Sequence, residues 1–142
     1  MKCITWNLKG IVGKASKQMD AIIQLQPDIL AFQEVTSNSI DIIRKKLSAS
    51  YANIVDSLEL VQDKSALVGP RRYGVLIATN YKIQTLDPKL FDIPWQERVL
   101  STNILHPKET IEFHTAYIPP GSTNRWKKIE TLEGIYKQLA VQ

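Results

Sequence analysis

The sequence predicts an α/β fold, and the order of its apolar segments carries that prediction. Two short apolar segments, residues 2–8 and 28–35, are each followed by a stretch with helical periodicity. Further apolar segments then follow one another with only short turns between them. The 142 residues, 44% of them hydrophobic and 23% charged, suffice for one domain with a core. A parallel strand pair followed by antiparallel strands is therefore expected.

The first two strands and the helices after them come from the first third of the chain. Both strands, over residues 2–8 and 28–35, are expected to be buried. Helices are expected over residues 14–26 and 37–48, and Pro27 ends the first of them. Each helix has apolar side chains on one face, namely Met19, Ile22 and Ile23 in the first helix and Ile40, Ile43 and Leu47 in the second. This order predicts that the two strands pair in parallel.

The rest of the chain predicts an antiparallel meander and a final helix. Its expected strands cover residues 51–61, 73–79, 81–86, 98–105 and 110–118. A helix is expected over residues 124–140, with Asn124 as its N-cap. Its apolar side chains fall on one side and are Trp126, Ile129, Leu132, Tyr136 and Leu139. Because about six strands then have helices on one face only, the other face of the sheet is expected to need a cover.

Polar residues follow each of the first two strands at their carboxyl ends. The first strand runs into Trp6-Asn7, and the second runs into Gln33-Glu34. The carboxyl ends of parallel strands are where α/β folds usually place their chemistry. Asn7 and Glu34 are therefore candidate site residues, although a turn-forming Asn and a solvated strand-end carboxylate are the ordinary alternatives.

Composition gives weaker indications about partners and compartment. Lys and Arg number 18 and Asp and Glu 14, so the net charge is +4, which permits an anionic partner without requiring one. The single cysteine, Cys3, is expected to be a small buried apolar residue in a reducing, cytoplasmic compartment. No signal peptide and no membrane-spanning run is expected from the sequence.

Five segments in this order resemble motifs of the endonuclease/exonuclease/phosphatase family, which includes exonuclease III-like and pancreatic deoxyribonuclease-like enzymes. They are ITWNLKG, PDILAFQEV, YGVLIATN, ERVLSTNI and FHTAYIPPG. The resemblance covers the whole chain but only the N-terminal half of the family's domain. It implies half of a four-layer α/β sandwich, with a mixed, mostly antiparallel sheet and helices on one face. Residues 1–142 would then be the N-terminal portion of a single domain whose C-terminal half is absent.

The resemblance also implies a function and roles for several residues. Members hydrolyse phosphodiesters or phosphomonoesters with Mg²⁺ or Mn²⁺. Glu34 would be the metal ligand, Asn7 would help to hold the metal, and Tyr117 would contact the phosphate as charge develops. Arg98 would lie near the substrate backbone. Lys9 and Asn124 are further expected substrate contacts, and nucleic acid, DNA in particular, is the expected substrate.

Two departures from the family pattern leave alternatives open. The family's Gly-Asp-x-Asn and Ser-Asp-His motifs, which carry its transition-state and general-base groups, do not occur in the chain. The segment NLKG carries Lys9, and Pro120 follows Tyr-Ile-Pro where exonuclease III-like members tend to have Asn. A second copy or a separate C-terminal half is therefore an expected partner. A non-catalytic nucleic-acid- or protein-binding half-domain, and a small-molecule or lipid phosphatase, are the alternative functions.

Overall fold

The strand–helix repeat at the start of the chain is present in the computed structural model, which describes residues 1–10 and 13–141. Its elements are β1 (Cys3–Asn7), α1 (Ala15–Gln24), β2 (Ile29–Val35) and α2 (Ser37–Leu47). β1 and β2 pair in parallel, so this prediction is confirmed. The helices are slightly shorter than expected, and α2 begins after Thr36, whose side chain and that of Ser39 form a capping box.

The later elements follow the predicted order with three changes. They are β3 (Asn53–Asp56), α3 (Ser57–Leu60), β4 (Gly74–Thr79), β5 (Lys82–Thr85), β6 (Val99–Leu105), β7 (Thr110–Ala116), α4 (Gly121–Asn124) and α5 (Trp126–Ala140). The strand expected over 51–61 stops at Asp56, because its side chain accepts the Glu59 N–H and caps α3. The last helix is broken at Arg125, which has a φ of +46°. Asn124 therefore lies in α4 and does not cap α5, contrary to expectation.

The strands form two sheets, and the expectation of a single sheet with an uncovered face is wrong. The first sheet has the order β1-β2-β4-β3 and the second the order β5-β6-β7. The chain crosses from one sheet to the other after β4, where a continuous meander was expected. Side chains from both sheets form one core cluster, which includes Ile29, Val75, Ile77, Leu100 and Ile104. The second sheet of the same chain therefore covers the face that was expected to be open, since alternating strands can bury either face.

The other face of the first sheet is covered by α1 and α2, as predicted. Leu30, Phe32 and Leu76 from the sheet are fully buried in one cluster with the helix residues Met19, Ile43 and Leu47. Complete burial of such a side chain stabilises a fold by about 1.5–3 kcal/mol. Helices, first sheet and second sheet thus form three successive layers, which place the carboxyl ends of β1 and β2 at one edge.

β1 lies at the edge of its sheet and is largely exposed, so the prediction of a buried strand is wrong here. Its edge position leaves β2 as its neighbour on one side only. Trp6 is 48% exposed, and Cys3 is exposed rather than buried. An edge strand of this kind offers backbone N–H and C=O groups to a further strand.

The last helix packs through Thr131, Gly134 and Ile135 instead of its predicted apolar stripe. Thr131 and Gly134 are buried, and Gly134 lies directly against the backbone of Asp92. The apolar side chains predicted to share one side of the helix are all exposed; they are Trp126, Ile129, Leu132, Tyr136 and Leu139. This set is called the α5 stripe below. No helix in the described part of the chain is both long and apolar enough to cross a membrane.

Candidate functional site

Asn7 and Glu34 meet at the carboxyl ends of β1 and β2. Parallel pairing sets Asn7 opposite Gln33. The Asn7 side-chain Nδ2 donates to Glu34 Oε1 at 3.0 Å, and Asn7 Oδ1 accepts the backbone N–H of Lys9 at 2.8 Å. One amide therefore fixes both the carboxylate and the turn that follows β1. The structure thus brings together the two residues that were singled out from the strand ends.

Glu34 occupies a β-bulge with a left-handed backbone. Gln33 pairs with Val75 and Val35 with Gly74, so Glu34 is the extra residue on β2. Its φ is +58°, which a residue with a Cβ rarely adopts. Such strain costs on the order of 1–3 kcal/mol and is typical of functional sites, where it aims a side chain. The half-buried carboxylate is therefore held by backbone as well as by hydrogen bonds.

Gln33 ties the site to both sheets. Its side-chain Nε2 donates to Thr5 Oγ1 on β1 at 2.9 Å and to Thr115 Oγ1 on β7 at 3.1 Å. Of the Gln-Glu pair that ends β2, one residue thus joins the layers and the other faces the site. The position of Glu34 consequently depends on how the two sheets pack.

Tyr117 follows β7 and reaches Glu34 from the second sheet. Its backbone N–H donates to the Arg98 carbonyl at 2.8 Å. Burial, followed by the hydrogen bond that the phenol donates to the Glu34 carboxylate, raises the pKa of Tyr117. The neutral phenol is therefore held as a hydrogen-bond donor beside the carboxylate.

Arg98 lies behind Tyr117 and is 1% exposed. Its guanidinium carbon is 4.4 Å from the centroid of the Tyr117 ring, and Nη2 donates to the Pro70 carbonyl at 2.5 Å. Burial lowers the pKa of Arg98, although Tyr117, Glu97 and Glu34 oppose that shift. Arg98 therefore adds positive charge close to the Glu34–Tyr117 pair.

The remaining expected contacts lie on either side of this group. Lys9 is exposed, with a φ of +55°, and its backbone is held by Asn7. Asn124 lines a cavity together with Tyr117 and Arg98. Four predicted residues, Asn7, Glu34, Tyr117 and Arg98, thus form one cluster, while Lys9 and Asn124 border it.

Sequence reasoning missed the segment that precedes β4. Arg71 forms two hydrogen bonds to the buried Glu97 carboxylate, both at 2.8 Å. The Tyr73 ring lies edge-on to Tyr117, with 5.9 Å between centroids, and Arg72 lies over Tyr73. The signal available was weak: Arg71-Arg72 formed one of several basic pairs, and Tyr73 was included only as a strand residue.

Both histidines of the chain lie away from the cluster. His114 contacts Ser101, Glu112 and Phe91, on the face of β7 opposite Tyr117. His106 packs against Tyr81 in a turn. No imidazole therefore accompanies Glu34, Asn7 and Tyr117.

The donor atoms of the cluster fit a hard divalent cation held by few protein ligands. No group of three or more His, Cys, Asp or Glu side chains that could hold a metal occurs in the described residues. Mg²⁺, however, usually takes only one or two carboxylates and keeps waters and substrate oxygens as its other ligands. The partly exposed Glu34 carboxylate, fixed by Asn7, satisfies this requirement.

Comparison with known proteins identifies related sequences and folds. The model of the Endonuclease/Exonuclease/phosphatase family matches residues 4–138. An AP endonuclease from Archaeoglobus fulgidus superposes with a TM-score of 0.72 at 20% identity, covering 100% of this chain. The structure of D. rerio TDP2 humanized by 14 mutations superposes with a TM-score of 0.71 at 12% identity, covering 99% of this chain. The structure of D. rerio TDP2 complexed with a single-strand DNA product superposes with a TM-score of 0.69 at 13% identity, covering 99% of this chain.

The likeness to these structures concerns the fold, since identities are low. No curated protein matches the chain significantly. The chain spans 52% of the AP endonuclease chain and 59% and 54% of the two TDP2 chains. It therefore corresponds to little more than half the length of these structures.

Proposed function

Because the chain belongs to the endonuclease/exonuclease/phosphatase family, we propose that it provides the metal- and phosphate-binding part of a divalent-metal-dependent, nuclease-type phosphodiester hydrolase. The observation that carries the proposal is the hydrogen-bonded set Asn7–Glu34–Tyr117. The end of β1, the bulge of β2 and the residue after β7 converge there, and the central residue, Glu34, adopts a strained backbone. Burial alone gives no reason for such an arrangement.

Each residue has a distinct part in this proposal. Glu34 would hold Mg²⁺ or Mn²⁺, which when bound neutralises phosphate charge and stabilises the leaving oxygen. Asn7 orients the Glu34 carboxylate through its Nδ2. Tyr117, a neutral phenol whose pKa is raised further, would turn its single O–H from Glu34 to a phosphate oxygen as negative charge develops. Arg98, charged and buried beside Tyr117, favours an anion at this place.

Nucleic acid, with DNA as the leading candidate, is the proposed substrate class. The net charge of +4 permits a polyanion. One structure of similar fold is described as bound to a single-strand DNA product. A small phosphomonoester or a lipid phosphate is the alternative within the same family, and weak salt dependence of affinity would favour it.

We further propose that a second polypeptide, a separate C-terminal half or a second copy, covers the surfaces that this chain leaves open. The open edge of β1 and the α5 stripe are the two surfaces concerned. The similar structures are about 1.7 and 1.9 times as long as this chain, which supports an additional segment. That segment would also supply the general base missing from the cluster.

The metal-binding role is tested with the isosteric substitution Glu34→Gln. We expect it to weaken Mn²⁺ binding at least 10-fold, because the carboxylate is the only charged ligand proposed, whereas Glu109→Gln on the exposed turn before β7 leaves binding unchanged. Calorimetric titration measures the affinity, and line broadening by Mn²⁺ locates it. Equal Mn²⁺ affinity in the wild type and the Glu34→Gln variant would refute the proposal.

A non-catalytic nucleic-acid-binding module is the second candidate, and the position of both histidines away from the cluster favours it. A binder retains its affinity for a labelled oligonucleotide in EDTA and after Glu34→Gln. Cleavage that disappears under both conditions, with or without a complementing segment, would instead support the hydrolase.

A further inference from the structure

A cavity of about 340 Å³ adjoins the cluster on the side of Tyr117 that faces Arg98. Its lining comes from three separate places in the chain: the segment Gly69–Arg72 with Tyr73, Arg98 just before β6, and the segment after β7 that includes α4. Its polar lining residues are Arg72, Tyr73, Arg98, Tyr117, Thr123 and Asn124. Two arginines and two phenols thus surround one space next to the proposed metal site.

Arg98 enters this wall with donors that the described chain does not use. Nη2 is bonded to Pro70 and the guanidinium also interacts with the Tyr117 hydroxyl, but Nε and Nη1 are buried and no described group accepts from them in hydrogen-bond geometry. The residue is 1% exposed. A buried guanidinium with unpaired donors is costly unless an acceptor satisfies it. The ring centroids of Tyr73, Trp95 and Tyr117 lie within 5.9 Å of the Arg98 guanidinium carbon. These rings do not replace hydrogen-bond acceptors for two N–H groups.

The opposite wall of the cavity is held in place by an ion pair between the partly exposed Arg71 and the buried Glu97. The two hydrogen bonds from Arg71 to Glu97 fix the segment that carries Arg72 and Tyr73. The Arg72 guanidinium donates to the Gly69 carbonyl and to the Tyr73 hydroxyl, and its carbon lies 4.2 Å from the ring centroid. Glu97 and Arg98 are neighbours in sequence. Glu97 anchors the wall that carries Arg72 and Tyr73, and Arg98 lines the opposite wall.

We propose that this cavity is a subsite for a second phosphate of the substrate, bound by Arg98 and Arg72. Tyr117 separates it from Glu34, so a phosphate in the cavity and one at the metal site would lie on either side of a single phenol. A strand with consecutive phosphates places them in this way, whereas a simple phosphomonoester cannot fill both sites. The proposal rests on the proposed function, and it selects a polynucleotide strand as the substrate class.

The test uses the full chain in EDTA, so that it does not depend on metal binding. Thymidine dinucleotides with one internal phosphate (TpT) and with an additional 5′ or 3′ phosphate (pTpT, TpTp) are titrated and followed by NMR. We expect the added phosphate at one end to strengthen binding about 10-fold or more, as for charge-assisted hydrogen bonds. Arg72→Ala removes this gain, and Lys45→Ala on the exposed face of α2 leaves it intact.

A second readout follows Arg98 directly. Its buried Nε–H resonance is expected to shift when inorganic phosphate or the dinucleotide with the added phosphate is added. Equal affinity for all three dinucleotides, or an Arg98 resonance that stays unchanged, overturns the proposal. A shift with inorganic phosphate but no gain from the added phosphate also overturns it, because the cavity would then take a single free or scissile phosphate. Equal Mn²⁺ affinity of the wild type and the Glu34→Gln variant in the earlier experiment would refute only the metal proposal.

Discussion

The phenol of Tyr117 lies between two groups that act on its pKa in opposite directions. The Glu34 carboxylate accepts its hydrogen bond and raises the pKa, as burial does, while the Arg98 guanidinium lowers it. The pKa of Tyr117 therefore depends on how close the Glu34 carboxylate and the Arg98 guanidinium lie to the phenol, and a titration of Tyr117 measures this.

We predict that Glu34→Gln lowers the pKa of Tyr117. The direction follows from removing a negative charge that disfavours the phenolate, and the change is partial because burial, the largest cause, remains. ¹³C NMR of the tyrosine Cζ resonances against pH measures it. Tyr51, whose pKa is raised by burial and by Asp28, is the internal control and should not move. An unchanged pKa of Tyr117 would mean that the two side chains do not meet in solution.

At this scale, the sequence located residues but not their conformations. Asn7 and Glu34 could be predicted to meet, because parallel strands end at one edge. The left-handed backbone of Glu34 could not, since no residue type near it favours positive φ. The buried position of Arg98 could not be predicted either, because arginine is almost never fully buried and the sequence does not show which aromatic side chains surround it.

Among the elements, α5 was predicted correctly as a helix, but the face that it buries was predicted wrongly. Its apolar periodicity predicted the helix but pointed to a buried α5 stripe. The helix packs instead through Thr131 and Gly134, because the backbone of Asp92 approaches where only a residue without a Cβ fits. The division of the later strands between two sheets was similarly hidden, since both sheets use the same alternating pattern.

We predict that Gly134→Ala destabilises the protein by about 3 kcal/mol or more, at the upper end of overpacking costs, by displacing α5. An added Cβ would lie 2.2 Å from the Asp92 carbonyl oxygen, which is backbone and cannot rotate away. Urea unfolding followed by circular dichroism gives the change. Gly13→Ala is the matched control, because nothing lies within 4 Å of its added Cβ. Equal stability of the two variants would show that α5 does not pack on Asp92.

At the scale of the whole molecule, the described residues form a core between the sheets and under α1 and α2, but leave the β1 edge and the α5 stripe open. β1 offers an unpaired edge, and the α5 stripe exposes Trp126 and Tyr136 by 74% and 73%. Contiguous apolar surface of this kind marks an interface or an aggregation liability. The sequence predicted that something must cover an apolar face, but it identified the wrong face.

We predict that the isolated chain self-associates with increasing concentration, and that Ile129→Lys with Leu132→Lys suppresses this association. These side chains are 49% and 43% exposed, so the stability cost should stay below about 1 kcal/mol each. Sedimentation velocity measures the oligomers. Asn38→Lys with Ala49→Lys adds the same charge at exposed sites elsewhere and should leave association intact. A wild-type chain that remains monomeric at every concentration would contradict the prediction.

The bulge at Glu34 also determines what the deletion of a single residue would do to β2. Gln33 faces the second sheet and Val35 the helices, so removing the residue between them restores the regular alternation of β2. An in-frame deletion of one codon would therefore abolish the candidate metal ligand and relieve its backbone strain while every neighbouring side chain keeps its face. We expect the deletion variant to unfold at or above the wild-type temperature yet to bind no Mn²⁺. If it does, the deletion of one codon separates a metal-binding form of this chain from a folded form that lacks the metal site.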